Sequence, residues 1–220
     1  MNDIVIVVTG AAPIDQRALD AIPTGAIVIA ADGALDHALA AGLQPAALVG
    51  DLDSVSENGL AWAEEHATVD RHPTDKDRTD TELALATAAD LNPSSLTLIS
   101  GGGDRLDHTI AALIALGHAS LTSIPTIDGW WGGHRLSVVH GPGRARWVLP
   151  IGTTISLLAL HGPCDGVTIS GVRWPLDAAP LHPAVGLGIS NETTADTVEI
   201  RLTSGVLTVF VDDRLDREPS

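Results

Sequence analysis

Up to about residue 128, short apolar runs alternate with alanine-rich stretches of helical spacing, and beyond it the alternation stops. "IVIVVTG" (4–10), "AIVIAAD" (26–32), "AALVGD" (46–51) and "LTLISGG" (96–102) are near-continuously apolar, as strands covered on both faces of a parallel sheet must be. Between them "QRALDAI", "GALDHALAAG", "NGLAWAEEHA" and "TDTELALATAADL" predict helices, and "RLDHTIAALIALGH" predicts another over 105–118. Strand–helix alternation implies an open, mainly parallel α/β sheet with helices on both faces. After the glycine-rich "DGWWGGH" (128–134), "HRLSVVH", "ARWVLP", "TTISLLAL", "CDGVTISG", "DTVEIRL" and "GVLTVFVD" follow as short runs parted by Gly, Pro and Asp. With no helix between them they predict an antiparallel sandwich or barrel-like domain. The expected organisation is an α/β domain over 1–128 and an all-β domain over 129–220, with no internal repeat and a polar tail "DDRLDREPS" expected to fray.

At 220 residues, 45% hydrophobic and 18% charged, the chain is long and apolar enough for such cores. Its net charge of −16 argues against a nucleic-acid partner, which needs clustered Lys and Arg. An acidic protein binds an anionic substrate most readily through a divalent metal. The single cysteine, Cys164, excludes an internal disulfide and has no activating neighbour. "MNDIVIVVTG" is too short for a signal peptide, and no run approaches the ~18 apolar residues of a membrane span, so a cytoplasmic protein away from membranes is expected.

In an open α/β sheet, ligands bind beyond the carboxyl ends of the strands. Asp32 closes the second strand, Asp51 and Asp53 close the third in "VGDLDSV", "DKDRTD" (75–80) precedes a helix and "GGGDRLDH" (101–108) follows another strand. Each has a local reading. Asp32 before Gly33 suits a turn, Asp53 before Ser54 an Asx turn, and Thr79 with Glu82 a capping box that leaves Asp80 in the first helical turn. Together they favour a divalent-metal site, because carboxylates crowded on one rim repel without a cation. Mg²⁺ takes a few carboxylates and completes its shell with water and phosphate oxygens. "SGGGDRLDH" supplies close backbone approach at its glycines, free N–H groups at a helix start and Arg105 for phosphate, although no Walker A loop occurs.

"GDLDS" (50–54), "DKDRTDTELAL" (75–85) and "RLDH" (105–108), with "GVTISGVRWPLD" (166–177) and "LGISNE" (187–192), resemble the thiamine pyrophosphokinases over nearly the whole chain. The resemblance implies transfer of the β,γ-diphosphate of ATP to the hydroxyethyl group of thiamine, releasing AMP. It also implies a homodimer that holds thiamine between the two domain types, one from each subunit. Asp51, Asp53 and Asp80, with Asp32 beside them, would hold Mg²⁺. Lys76, Thr79, Gly103, Arg105 and His108 would lie near the phosphates, Asp107 near the attacking hydroxyl or the metal, and Ser190 and Asn191 would face thiamine. The chain departs from the family pattern at Ala34, Asp104 and Ala112. It also has Thr193 where the family places an aromatic to stack on the pyrimidine, which leaves Trp174, Trp130 or Trp131 for that role.

His37, His66 and His118 lack metal-ligand spacing and read as surface or packing residues, and Trp62 reads as core. Three rival functions remain. The first is pyrophosphoryl transfer to a hydroxymethyl-pterin. The second is a haloacid-dehalogenase-type phosphatase built on the D-x-D of "LVGDLDSV", and the third a non-catalytic nucleotide or thiamine sensor.

Overall fold

The computed structural model describes residues 3–103 and 105–212; Asp104 and the tail from 213 onward lie outside them. The chain divides into two compact units between Gly133 and His134.

The first unit runs β1 (Ile4–Thr9), α1 (Gln16–Asp20), β2 (Ile27–Ala31), α2 (Ala34–Ala40), β3 (Ala47–Gly50), α3 (Glu57–His66), β4 (Thr68–Arg71), α4 (Asp80–Asp90), β5 (Ser95–Ser100) and α5 (Leu106–Ala115). A 3₁₀ turn (Ala119–Leu121) and β6 (Thr126–Trp131) complete it. Its strands lie in the order β6-β5-β1-β2-β3-β4, each pair parallel. Val5 to Val8 are all 1% exposed or less, so both faces of the sheet are covered, as the unbroken apolar runs require. On the helices, Ala34, Leu35 and Ala38 of α2 and Leu83, Ala84, Leu85 and Ala88 of α4 are buried at helical spacing.

Two features of this topology place the site. The direction of winding reverses between β1 and β5, which makes the crevice beyond their carboxyl ends the switch point. The β4–β5 connection also carries α4 across β3, β2 and β1, against which it packs, so the start of α4 comes down over the ends of β2 and β3. The boundary expected at 128 falls later, because Asp128 to Trp131 belong to β6 and the glycines that follow form its terminal turn.

The second unit contains β7 (His134–His140), β8 (Gly143–Val148), β9 (Thr154–Leu158), β10 (Cys164–Ser170), β11 (Leu176–Leu181), β12 (Asn191–Glu192), β13 (Thr197–Leu202) and β14 (Val206–Asp212). They form two antiparallel layers, β12-β9-β14-β7 and β11-β10-β13-β8. Ile155, Leu157, Leu207 and Val209 of one layer meet Val167, Ile169, Val198 and Ile200 of the other. Along β13, buried Val198, Ile200 and Leu202 alternate with exposed Glu199 and Arg201, the period of a sheet with one wet face.

Candidate active site

Beyond the carboxyl ends of the first unit's strands lies a cleft of about 830 Å³. Thr9 at the end of β1, Gly10 and Ala11 after it, and Gly103, Arg105 and His108 after β5 form one side. Ala11 donates its N–H to Gly102 at 3.1 Å, tying the two switch-point loops together. Gly101 has no room for a side chain, since a Cβ there would run into the carbonyl oxygens of Ala12 and Pro13. The other side carries Asp32, Asp51, Asp53, Lys76, Thr79 and Asp80.

Asp32, Asp51 and Asp80 each offer a carboxylate oxygen, all within 4.8 Å of one another. Three elements supply them: Asp32 follows β2, Asp51 follows β3 and Asp80 opens α4. Gly50 makes room for the group, because a Cβ there would stand 2.9 Å from Asp80 Oδ1 and 3.1 Å from Asp32 Cβ. Asp32 adopts a φ of +48°, a left-handed conformation that Asp tolerates better than most side chains. Its carboxyl pKa is raised by burial, and the nearby Asp80, Asp51 and Asp53 charges add to the rise. Asp51 goes the other way, held below the usual carboxylate range chiefly by its hydrogen bond from Lys76 at 3.0 Å.

The same ammonium lies 3.1 Å from Asp80 Oδ1 as an ion pair. That oxygen and Asp32 Oδ1 are buried without a well-directed hydrogen bond. Asp32 Oδ1 thus has no partner and Asp80 Oδ1 has only the ion pair; a buried oxygen so poorly satisfied is costly, and a hard dication would satisfy both. The donor set of three carboxylates therefore fits Mg²⁺.

Asp53 lies apart from this group. Its carboxylate is exposed and takes the Ser54 hydroxyl at 2.9 Å, while the turn is closed by Asp51, whose Oδ1 accepts the Asp53 N–H at 3.3 Å. Thr79 and Glu82 form the capping box, with the Thr79 hydroxyl donating to Glu82 Oε2 at 2.9 Å and accepting the Glu82 N–H at 3.2 Å. Asp107 pairs with Arg105 through Nε at 3.2 Å and Nη2 at 2.5 Å, and this guanidinium holds its pKa below the usual range. Asp107 does not line the cleft, whereas Arg105 and His108 do.

In the second unit, Asn191 is only 4% exposed and its amide is fully committed. Nδ2 donates to the Trp174 carbonyl at 2.7 Å and Oδ1 accepts the Trp174 N–H at 3.0 Å. The clamp presents the Trp174 ring, 55% exposed, with the Arg173 guanidinium 5.0 Å from its centroid. Ser190 is exposed at φ +57°, and its N–H donates to Ser156 Oγ at 2.9 Å. Thr193 is fully buried, donating to the Pro150 carbonyl at 2.7 Å, so that position has no face for a ligand. Ala34 and Ala112 are likewise buried.

Sequence reading missed Thr9, Gly10 and Ala11, although the switch-point rule applied to the first strand's end points to them. His37, read as a surface or packing residue, also lines the cleft. Thr81 was missed as well; its hydroxyl meets that of Thr9 at 2.6 Å and joins α4 to β1. Cys164 is fully buried, its thiol pKa raised by burial and its S–H directed at the Val206 carbonyl 3.3 Å away. Trp62 packs partly buried against the α2–α3 core and stacks on His66 at 5.0 Å. Among the described residues no helix is long and apolar enough to cross a membrane.

Fold and cleft together define a parallel α/β unit with a carboxylate-lined cleft at its switch point, followed in the chain by a β-sandwich. The sequence matches the thiamin pyrophosphokinase catalytic domain over residues 20–127 and the thiamin pyrophosphokinase vitamin B1 binding domain over residues 134–207. The chain belongs to the thiamin pyrophosphokinase family and is a diphosphotransferase. A comparison with curated protein sequences finds no match. Among solved structures it is similar to the Bacillus subtilis thiamine pyrophosphokinase, with a TM-score of 0.82 at 22% identity over 97% of this chain and 100% of that one. The Candida albicans thiamin pyrophosphokinase gives 0.77 at 14% identity over 96% and 92%. The yeast enzyme gives 0.73 at 16% over 97% and 88%.

Proposed function

We propose that the protein transfers the β,γ-diphosphate of ATP to the hydroxyethyl oxygen of thiamine in the presence of Mg²⁺, forming thiamine diphosphate and AMP. The observation that carries the ATP and metal part is the trio Asp32, Asp51 and Asp80 at the switch-point cleft, with Asp32 Oδ1 buried without a partner and a single ammonium against the other two carboxylates. These three residues would hold Mg²⁺, with Asp53 on the adjoining loop. Bound there, the ion supplies charge neutralisation to the polyphosphate.

The chain's own residues do the positioning. Arg105 at the N-cap of α5 makes no side-chain cap bond, and the His108 N–H is taken by Asp107 Oδ1 at 3.1 Å. Phosphate oxygens would therefore meet the positive end of the helix dipole and the fork of donors on Arg105. Gly102 and Gly103, at φ +82° and +81°, turn the loop into that helix. The thiamine hydroxyl oxygen attacks the β-phosphorus, the bond from that phosphorus to the α,β-bridging oxygen breaks, and AMP leaves with that oxygen. Such an in-line displacement asks for alignment and charge stabilisation more than for a strong base. Asp107, already neutralised by Arg105, acts by steadying the guanidinium.

In the second unit Trp174 offers an exposed ring to the cationic acceptor, with Ser190 nearby in sequence to Asn191, the residue that fixes Trp174. The negative charge of the chain draws in both the dication and the thiazolium. The acting species is a homodimer located in the cytoplasm.

Asp51→Asn and Asp80→Asn test the metal assignment. Each is expected to lower AMP production at least ~10²-fold, the scale of losing one electrostatic contact to the reacting group, with far-UV circular dichroism unchanged. Wild-type rates in both variants would overturn it.

A further inference from the structure

The chain has one lysine, and it stands among the carboxylates. Lys76 Nζ lies 3.0 Å from Asp51 Oδ2 and 3.1 Å from Asp80 Oδ1, two of the three groups whose oxygens converge within 4.8 Å. The lysine side chain is only 14% exposed and that of Asp51 only 10%, so water screens this arrangement weakly. We infer that Lys76 is the site's built-in counter-ion: it neutralises the carboxylates in the metal-free protein and leaves them when a divalent ion binds. This rests on the metal reading above.

Three observations favour exchange over a permanent salt bridge. One ammonium faces three carboxylates, and it leaves Asp32 Oδ1 and Asp80 Oδ1 without a directed hydrogen bond, so it balances the group only in part. An ion among these oxygens would sit within a few ångströms of Nζ, and two cations at that range repel strongly in a half-buried site. Lys76 also belongs to the irregular segment between β4 and α4, where no ladder or helix hydrogen bond fixes its backbone, and its four-carbon stem can turn within the cleft it already lines. The other charged groups along that segment, Asp75, Asp77 and Arg78, are exposed. Released, the ammonium is free to meet polyphosphate oxygens, so that arrival of the ion prepares the site for the nucleotide.

The test uses Mn²⁺ alone, without nucleotide, on the full-length chain. Lys76→Met keeps the apolar stem and removes the charge. It is expected to bind Mn²⁺ on the order of tenfold more tightly than wild type by electron paramagnetic resonance titration. It should also show a lower metal-free Tm and a larger Tm gain on Mn²⁺ addition. Damage to the fold would weaken binding, so the direction separates the inference from a structural role. Equal or weaker Mn²⁺ affinity in Lys76→Met, with Asp51→Asn still losing it, would overturn the inference and leave the metal site standing. No saturable Mn²⁺ binding by wild type would overturn both. In the wild-type protein, acetylation at the sole lysine Nζ is expected to speed up when Mn²⁺ is added, and an unchanged or slower rate would count against release.

Discussion

At Asp32 the backbone and the side chain are both held where they cost free energy. The residue sits at φ +48° and its carboxyl is buried beside Asp51 and Asp80, which raises its pKa above 3.8. A carboxyl with a raised folded pKa contributes stability below its unfolded value and loses it as pH climbs through the folded pKa. Asp51, lowered by Lys76, has the opposite sign: its contribution is present above 3.8 and is lost as pH falls through the folded pKa. In the metal-free protein, stability at neutral pH is therefore below what the fold can reach. Asp32→Asn removes the buried charge, and Asn accepts the left-handed conformation as readily. We expect it to raise the metal-free Tm at pH 7 by roughly 2–4 °C, about 1 kcal/mol, while Mn²⁺ no longer adds stability. In a melting series from pH 7 to pH 3 the variant should lose the rise that wild type shows on mild acidification and keep the fall from Asp51 at the acid end. A lower Tm for the variant at pH 7 would contradict this.

Among the elements, the β10–β11 turn separates two kinds of contribution. Trp174 exposes its ring, while Asn191 spends both ends of its amide on the Trp174 backbone. Trp174→Ala should raise the KM for thiamine about tenfold, as expected for a lost aromatic contact with a cation, with Tm nearly unchanged. Asn191→Ala should lower stability by about 1 kcal/mol, because it removes two hydrogen bonds to the partly buried Trp174 backbone, and should raise KM through the displaced ring. Denaturant melts and steady-state kinetics on both variants check the split, and a stability loss confined to Trp174→Ala would reverse the assignment. The elements legible in the sequence were those with unbroken apolar runs or helical spacing. β4, β11 and β12 were not, and all three lie at sheet edges. An edge strand packs against one neighbour, so "TVDR" and "LDAAPL" carry little apolar signal and β12 has only two residues. β6 was read as a boundary because Gly129 interrupts it. The carboxylate trio was legible because each member ends a strand or opens a helix. The partners of Lys76 and Asn191 were not, since pairings across 25 and 17 residues depend on how α4 and β12 are carried back over their sheets.

For the whole molecule, one chain joins a switch-point α/β unit to a β-sandwich, and the family match covers both. The first unit gathers the carboxylates of Asp32, Asp51 and Asp80 beside the start of α5, and the second exposes the Trp174 ring; the proposed function assigns the former to metal and phosphate and the latter to the acceptor. On the proposed function, acceptor choice is what the second unit decides. The direct measurement is AMP release from Mg-ATP with thiamine, a hydroxymethyl-pterin or water as acceptor, the thiamine product being followed alongside. We predict AMP and thiamine diphosphate in equal amounts with thiamine and only background AMP with the other two. AMP formed equally well with the pterin or with water, or no AMP with thiamine, would contradict the account.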